Sequence, residues 1–192
     1  MLAHVDHHVL EGGTLRLTDE EMSHMSQLHG GTLPPAAEQR LAEDHVRNGV
    51  LLEALCELDP DWPVLVFATS VNHARFLSVM LNDRGVSSAA VDAQTPTARR
   101  RQIIDQFAQR RIRVLTNYGV LHQGFDAPAT RAVVVARPTY SPNVYQQMIG
   151  RGLRGQANGG KERCLILNVR DNIVNYGQQL AFTAFEKMWG GE

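Results

Sequence analysis

The stretch Pro63-Val64-Leu65-Val66-Phe67-Ala68-Thr69-Ser70 decides the fold class of this 192-residue chain. Its continuous apolar run predicts a short strand buried on both faces, ending at Phe67. Ser70 follows at once and is a good N-cap for a helix that ends near Gly85. The inner face of that helix is predicted to hold Ala74, Leu77 and Leu81. A buried strand that leads into an amphipathic helix is typical of α/β proteins.

The same alternation continues outward from this stretch. Further apolar runs predict strands at Val86–Val91, Ile112–Thr116, Arg131–Ala136 and Cys164–Val169. Thr95-Pro96 and Ser141-Pro142 are predicted to begin helices between them, and the apolar spacing of Ala36–Leu58 predicts an earlier helix. We therefore expect a parallel sheet with helices on both faces, in which ligands bind at the carboxyl ends of the strands.

The two ends of the chain carry weaker signals. Glycine and proline pairs predict irregular backbone over residues 1–35, with a short helix at 18–28 begun by a capping box of Thr18 and Glu21. We interpret residues 1–35 as a linker or a remnant of a preceding region and residues 36–170 as the α/β domain. Residues 171–192 are interpreted as a C-terminal helical extension.

Composition excludes several classes of protein. No run approaches the roughly 18 apolar residues of a membrane span, so a membrane protein is not expected. Cys56 and Cys164 form no ligand pattern, which argues against a disulfide framework or a cysteine zinc site and favours a cytoplasmic location. No metal-binding residues are predicted in this chain.

The net charge of −1 conceals a polarity along the chain. Residues 1–62 hold twelve acidic residues against three arginines, whereas residues 99–154 hold ten arginines against two aspartates. A compositional preference for arginine explains why the basic residues are arginine rather than lysine. It does not explain why acidic residues are scarce between residues 99 and 154. Clustered positive charge indicates a surface for a polyanion.

The segment Gln147-Met-Ile-Gly150-Arg151-Gly152-Leu-Arg154 places three polar side chains at positions i, i+4 and i+7. On a helix these side chains share one face. Two neighbouring guanidinium groups repel each other unless an anion lies in front of them, and arginine binds phosphate with two parallel hydrogen bonds. A solvated basic helix end is the alternative interpretation.

Other candidate residues follow the predicted strands. Thr69 and Ser70 could bind a backbone phosphate at a helix start, although capping alone also selects Ser70. Thr95 and Arg100 begin a helix with three arginines, for which a solvated basic turn is the alternative. Asn117 ends a strand that leads to Gly124-Phe125-Asp126. The Asp126 carboxylate could accept a hydrogen bond from a ribose hydroxyl or an arginine, or it could only form a local turn with its own backbone.

Taken together and in order, these segments resemble the second, C-terminal RecA-like domain of superfamily 2 helicases, closest to the bacterial DEAD/DEAH-like and restriction-enzyme-type branch. The resemblance covers roughly residues 36–170. Phe67–Ser70 resembles motif IV and Thr95–Arg100 resembles motif IVa. Asn117–Pro128 resembles motif V, and Gln147–Arg154 resembles motif VI.

The resemblance implies a role for each matching residue. Arg154 corresponds to the arginine finger towards the γ-phosphate of ATP, and Arg151 to its companion. Gln147, Gly124 and Asp126 correspond to residues near the nucleotide. The positions that touch the nucleic-acid backbone are implied to be Thr69, Ser70, Thr95, Arg100 and Asn117.

The chain also departs from the family pattern. Gln123 stands where this branch usually has Glu, Tyr118 where many relatives have Thr, and Arg110 where a Gly is usual. There is no phosphate-binding loop of the Gly-x-x-x-x-Gly-Lys-Ser/Thr type and no DExx box. The resemblance therefore implies one of the two RecA-like lobes of a motor. The other lobe is implied to supply the P-loop and the Mg²⁺ ligands.

We therefore expect the C-terminal motor lobe of an ATP-dependent helicase or translocase, inactive as an isolated chain. Its expected cofactors are ATP and Mg²⁺, and its expected partners are an N-terminal RecA-like ATPase lobe and a nucleic acid, with DNA favoured over RNA. The alternative is a non-catalytic RecA-like module that binds nucleic acid or a protein.

Overall fold

The computed structural model describes residues 4–27, 33–120, 129–150 and 163–173. In these ranges the chain forms six strands and six helices. The strands are β1 (His4–Leu15), β2 (Val64–Phe67), β3 (Ser88–Val91), β4 (Val114–Asn117), β5 (Ala132–Val135) and β6 (Arg163–Ile173). The helices are α1 (Asp19–Gln27), α2 (Pro35–Glu43), α3 (His45–Glu57), α4 (Val71–Asp83), α5 (Thr97–Ala108) and α6 (Pro142–Ile149).

The strands form one sheet in the order β1-β6-β5-β2-β4-β3, and every neighbouring pair is parallel. All four residues of β2 are buried, and successive side chains point to opposite faces of the sheet. Leu65 and Phe67 join one apolar core and Val64 and Val66 the other. The prediction of a parallel sheet with helices on both faces is therefore confirmed.

The helices divide between these two cores. The core on the Leu65 face receives apolar side chains from α1, α2, α5 and α6. The core on the Val66 face receives them from α3 and α4, including the predicted inner-face residues Leu77 and Leu81. The end of α4 is also as predicted, because Gly85 adopts a left-handed φ of 78° immediately after it.

The N-terminal segment differs from the irregular backbone that the sequence predicted. Residues His4–Leu15 form edge strand β1, which pairs with β6. The short helix was predicted correctly: the Thr18 backbone N–H donates to the Glu21 carboxylate (2.8 Å) and the Glu21 N–H donates to Thr18 Oγ1 (3.2 Å). Irregular backbone is therefore wrong for β1, whereas the role of residues 1–35 as a joining segment stays a prediction.

The single helix expected over Ala36–Leu58 is two helices. Asp44 separates α2 from α3 and has an extended conformation, with φ −66° and ψ 110°. Its side chain accepts a hydrogen bond from the Arg47 backbone N–H (2.9 Å), so Asp44 acts as the N-cap of α3. The apolar spacing continued through this break, which is why periodicity alone did not reveal it.

Arg110 has a left-handed φ of 59° in the turn after α5. This region of conformational space disfavours side chains with a Cβ atom, and glycine occupies it without steric cost. The geometry therefore gives a physical reason for the glycine that is usual at this position in the family the sequence resembles.

Candidate functional site

The carboxyl edge of the sheet gathers the residues that follow four of the strands. Ser70 follows β2, Thr95 follows β3, Asn117 ends β4 and Arg137 follows β5. Backbone hydrogen bonds continue to this edge: Ala68 N–H donates to the Asn117 carbonyl (2.9 Å). Parallel strands that end together place these segments side by side, which is where ligands bind in open α/β sheets.

Ser70 begins α4 as the sequence predicted. Its Oγ accepts a hydrogen bond from the His73 backbone N–H (3.1 Å), and the residue is half-buried. The first turn of a helix presents N–H groups and the positive end of its dipole, which favour an anion. Ser70 therefore caps the helix and also lies at an accessible position on the edge.

Thr95 and Arg100 lie together beyond β3. The Arg100 Nη2 atom donates to the carbonyls of Asp92 (3.1 Å) and Thr95 (3.4 Å), and Thr95 Oγ1 accepts from the Asp92 backbone N–H (3.0 Å). Both residues are half-buried. These bonds hold the start of α5, while Arg100 keeps its positive charge close to the surface of the edge.

Thr69 and Asn117 are more deeply placed than a phosphate contact requires. Both are fully buried, and Thr69 Oγ1 donates to the Ala136 carbonyl (3.3 Å). Asn117 Nδ2 donates to the Val66 carbonyl (2.9 Å). These bonds tie neighbouring strand ends together and favour a supporting role, and direct phosphate contact by either side chain stays a prediction.

The remaining residues were predicted to lie on the nucleotide side. Gln147 lies on α6 with its side chain exposed, and α6 begins as predicted with Ser141 as N-cap and Pro142 in its first turn. The other nucleotide-side predictions, Gly124, Asp126, Arg151 and Arg154, lie outside the described residues.

A buried ionic group behind the edge was not foreseen from the sequence. Arg47 of α3 and Asp171 of β6 are both fully buried and form two hydrogen bonds, Nε to Oδ1 (2.6 Å) and Nη2 to Oδ2 (2.9 Å). Arg47 also donates to the Ala136 carbonyl, which is the carbonyl that Thr69 contacts. This group therefore joins α3, β6 and the ends of β2 and β5.

His73 extends that buried group towards α3. Its Nδ1 atom accepts from the Thr69 backbone N–H (3.1 Å), so Nε2 carries the proton and donates to Asn48 Oδ1 (2.9 Å). Burial, with a smaller contribution from the nearby Arg47 charge, lowers the pKa of His73 to about 3. The imidazole is therefore neutral at physiological pH and positions the end of β2.

We expect this histidine to make stability depend on pH. The folded state disfavours the imidazolium, so below about pH 6.5 the unfolded chain binds the proton preferentially, and stability falls until the pH reaches the folded pKa. Between pH 7 and pH 5 this one residue is expected to lower the free energy of unfolding by about 2 kcal/mol. Urea unfolding at pH 5, 6 and 7 measures the effect.

The matched control is His73→Gln, which replaces the titrating ring with an amide that does not titrate. Exposed histidines such as His4 and His45 are present in both proteins. The variant is expected to show a flatter pH dependence over this range. Equal slopes for the two proteins would contradict the assignment of the pH dependence to His73.

A second cluster at the edge also escaped the sequence interpretation. Arg137 follows β5 and donates to the Glu38 carboxylate of α2 (Nε to Oε1, 3.0 Å), and its guanidinium lies 5.0 Å from the centre of the Tyr118 ring. Tyr118 Oη also donates to Glu38 Oε2 (3.4 Å). The available signal was the position of Arg137 and Tyr118 directly after buried strands.

A cleft of about 570 Å³ opens beside this cluster, between α2 and the start of α4. Glu38 and Tyr118 form part of its wall, together with Ser70, Asn72 and Phe76. The volume lies within the range of small-molecule sites. Within the described ranges, no three His, Cys, Asp or Glu side chains come together as a metal site, and no helix is long and apolar enough to cross a membrane.

Comparison with known proteins identifies relatives of this chain. The family model of the helicase conserved C-terminal domain matches residues 47–156. A Saccharomyces cerevisiae protein named as the ATP-dependent helicase Irc3 is 33% identical over 104 residues, which cover 54% of this chain and 15% of that protein. A Schizosaccharomyces pombe protein named as the mitochondrial ATP-dependent helicase Irc3 is 38% identical over 109 residues, covering 57% and 18%.

A solved structure is similar in fold. Saccharomyces cerevisiae Dbp5, determined bound to RNA and ADP BeF3, matches with a TM-score of 0.58 and 20% identity, over 76% of this chain and 37% of that one. The present chain spans less than a fifth of the length of the two Irc3 proteins.

Proposed function

Because the chain belongs to the helicase conserved C-terminal domain family of superfamily 2 helicases, we propose that it is the C-terminal motor lobe of an ATP-dependent helicase or translocase. One observation carries this proposal: the carboxyl edge of a fully parallel sheet brings together Ser70, Thr95 and Arg100, three predicted backbone-contacting residues with accessible positions. A row of hydroxyl groups and arginine along one edge suits a single-stranded phosphate backbone.

The nucleotide side of the proposal concerns α6 and the residues that follow it. Gln147 is exposed on α6 and free to face a nucleotide held by a second lobe. Arg151 and Arg154 follow it, and Gly124 and Asp126 are the proposed ribose-side residues. When bound, ATP with Mg²⁺ supplies the phosphoryl group whose hydrolysis drives the motor, and the Mg²⁺ ligands are proposed to come from the other lobe.

In this proposal the residues of the present chain act by charge and position. Arg154 stabilises negative charge on the transferring phosphoryl group and Arg151 couples the nucleotide to the face between the lobes. Closure and opening of the two lobes would move the Ser70–Arg100 edge along one strand. The restriction-enzyme-type branch, the preference for DNA over RNA and the cytoplasmic location remain predictions.

The nucleic-acid part of this proposal can be tested with the present chain. We expect fluorescein-labelled dT20 and rU20 to bind at low salt, and Arg100→Gln to weaken binding about threefold to tenfold, because one phosphate contact is lost. Fluorescence anisotropy measured over a series of salt concentrations gives both the affinity and its salt dependence. The ratio of the dT20 and rU20 affinities tests the preference for DNA.

Arg84→Gln is the matched control, since it removes one exposed arginine at the opposite end of α4 from Ser70. Both variants have the same net charge, so only the position of the lost charge differs. Equal weakening by the two substitutions would mean that binding is a general electrostatic attraction, and this would contradict the assignment of nucleic-acid binding to the carboxyl edge.

A further inference from the structure

The crevice between β2 and β5 is a topological switch point of the sheet. Helix α4 follows β2 and packs with Leu77 into the core on the Val66 face, whereas α6 follows β5 and packs with Tyr145 into the opposite core. Where chains leave neighbouring strands towards opposite faces, they leave a crevice that commonly holds a ligand. Arg137 lies at this crevice as the second residue after β5.

In this structure α2 covers Arg137. The Glu38 carboxylate lies 3.0 Å from Arg137 Nη2 and accepts from Nε at the same distance. Both side chains are largely buried, with 16% of Arg137 and 8% of Glu38 exposed. Glu38 belongs to the acidic N-terminal third of the chain. A carboxylate that lies outside the sheet therefore binds a guanidinium at the carboxyl edge, where ligands of such sheets bind.

The geometry around Arg137 is that of an anion site. A guanidinium stacked on an aromatic ring is held in one plane with its N–H groups directed outward, and this arrangement presents two parallel donors to a phosphate or a carboxylate. Tyr118 provides the ring. The 570 Å³ cleft is lined by Glu38 and Tyr118, the two residues that contact Arg137, so a ligand in the cleft lies against the carboxylate that covers this guanidinium.

The ion pair between Arg137 and Glu38 is a weak structural interaction. Burial raises the pKa of Glu38, and the opposing effects of Arg137 and Tyr118 do not restore it. The carboxylate therefore remains poorly compensated for the loss of its hydration. Desolvation of both groups offsets much of the attraction within a buried ion pair, so its net contribution to stability is small as long as neither charge is left buried alone. A phosphate can therefore replace Glu38 at Arg137 if α2 moves and Glu38 regains its hydration.

We propose that Arg137, stacked on Tyr118, is a phosphate-binding residue, and that Glu38 blocks it as an internal anion until a phosphate-bearing ligand displaces α2. This inference rests on the proposed motor function for its ligand: the phosphate belongs either to the backbone of single-stranded nucleic acid or to the nucleotide. In either case Glu38 and Arg137 have opposite effects on binding.

The test measures both ligands with four variants of the whole chain. Anisotropy of labelled dT20 and fluorescence of mant-ATP are titrated with the wild type, Glu38→Gln, Arg137→Gln and the double variant, and thermal unfolding checks the fold of each. Glu38→Gln is expected to tighten binding of one ligand about threefold to tenfold, and Arg137→Gln to weaken it about as much. The double variant is expected to lose the increase in affinity that Glu38→Gln gives.

Glu53→Gln on α3 is the matched control. Glu53 is exposed and lies outside the lining of the cleft, so removing its charge changes the net charge as Glu38→Gln does without freeing Arg137. We expect less than a twofold effect. A gain equal to that of Glu38→Gln would overturn the inference, because the gain would then come from net charge.

The outcomes also separate this inference from the proposed function. If Arg100→Gln weakens dT20 binding while Glu38→Gln and Arg137→Gln leave the affinities for both ligands unchanged or shift them in the same direction, the phosphate site at Arg137 is overturned and nucleic-acid binding at the carboxyl edge stands. If dT20 does not bind at all, the proposed nucleic-acid binding at the carboxyl edge fails. A gain in mant-ATP affinity in Glu38→Gln that Arg137→Gln reverses then supports the inference, and its absence overturns it.

Discussion

Replacement of Arg154 by alanine in the proposed two-lobe protein is expected to reduce ATP hydrolysis about a thousandfold or more. Arg154 occupies the position of the arginine finger in the motif VI resemblance. A guanidinium at that position stabilises charge that develops on the transferring phosphoryl group, so its removal lowers the turnover number more than it changes nucleotide affinity. Steady-state ATPase assays with and without single-stranded DNA measure the effect.

Two further variants sharpen this experiment. Arg154→Lys keeps the positive charge but loses the planar fork, and is expected to remain strongly impaired. Arg84→Ala, at the exposed end of α4, is expected to retain normal turnover. Both variants should unfold at wild-type temperatures. Near-normal turnover by Arg154→Ala would contradict the assignment of Arg154 as the arginine finger.

The same assays discriminate between the two functional hypotheses. ATP hydrolysis only when this chain is joined to its partner lobe, and stimulated by nucleic acid, would support the split motor. Nucleic-acid binding by the present chain together with no hydrolysis in the joined protein would favour the non-catalytic RecA-like module, and would leave Arg151 and Arg154 without a catalytic role.

The parts of the fold that the sequence predicted are those specified by neighbouring residues. Strands β2 and β5 are short apolar runs buried on both faces, and helices α4 and α6 begin at serine N-caps, Ser70 and Ser141. These signals extend over only a few residues. They are sufficient to locate the carboxyl edge, and with it the row of predicted contact residues.

Strand β1 was missed because its signal is not local. Its sequence contains three histidines and two glycines, and most of its side chains are only half-buried or exposed at the sheet edge. What makes it a strand is its pairing with β6, more than 150 residues away. Propensity and periodicity do not carry such long-range pairing, and tertiary contact overrides them.

The buried polar groups were missed for a related reason. Arg47 and Asp171 are 124 residues apart, and in the sequence each resembles an ordinary surface charge. Thr69 and Asn117 were identified from their motifs, but the motifs do not distinguish a side chain that faces a ligand from one that bonds across strand ends. Only the geometry separates the two roles.

Replacement of Asp171 by asparagine is expected to lower the free energy of unfolding by about 3–5 kcal/mol. The substitution changes little volume but leaves the Arg47 guanidinium buried without a countercharge, at a junction of α3, β6 and the Ala136 carbonyl. A charge in this environment cannot regain its hydration without local unfolding. Urea denaturation monitored by circular dichroism measures the change.

The exposed ion pair between Asp6 and Arg163 is the natural comparison within the same sheet. Its closest contact is also 2.6 Å, but 34% of Asp6 and 64% of Arg163 are exposed, so Asp6→Asn is expected to cost less than about 1 kcal/mol. A second comparison is Arg47→Met with Asp171→Leu, which removes both charges and should recover much of the loss. Equal costs for Asp171→Asn and Asp6→Asn would show that burial does not set the energetics of the Arg47–Asp171 pair, and that this pair does not hold α3 against β6.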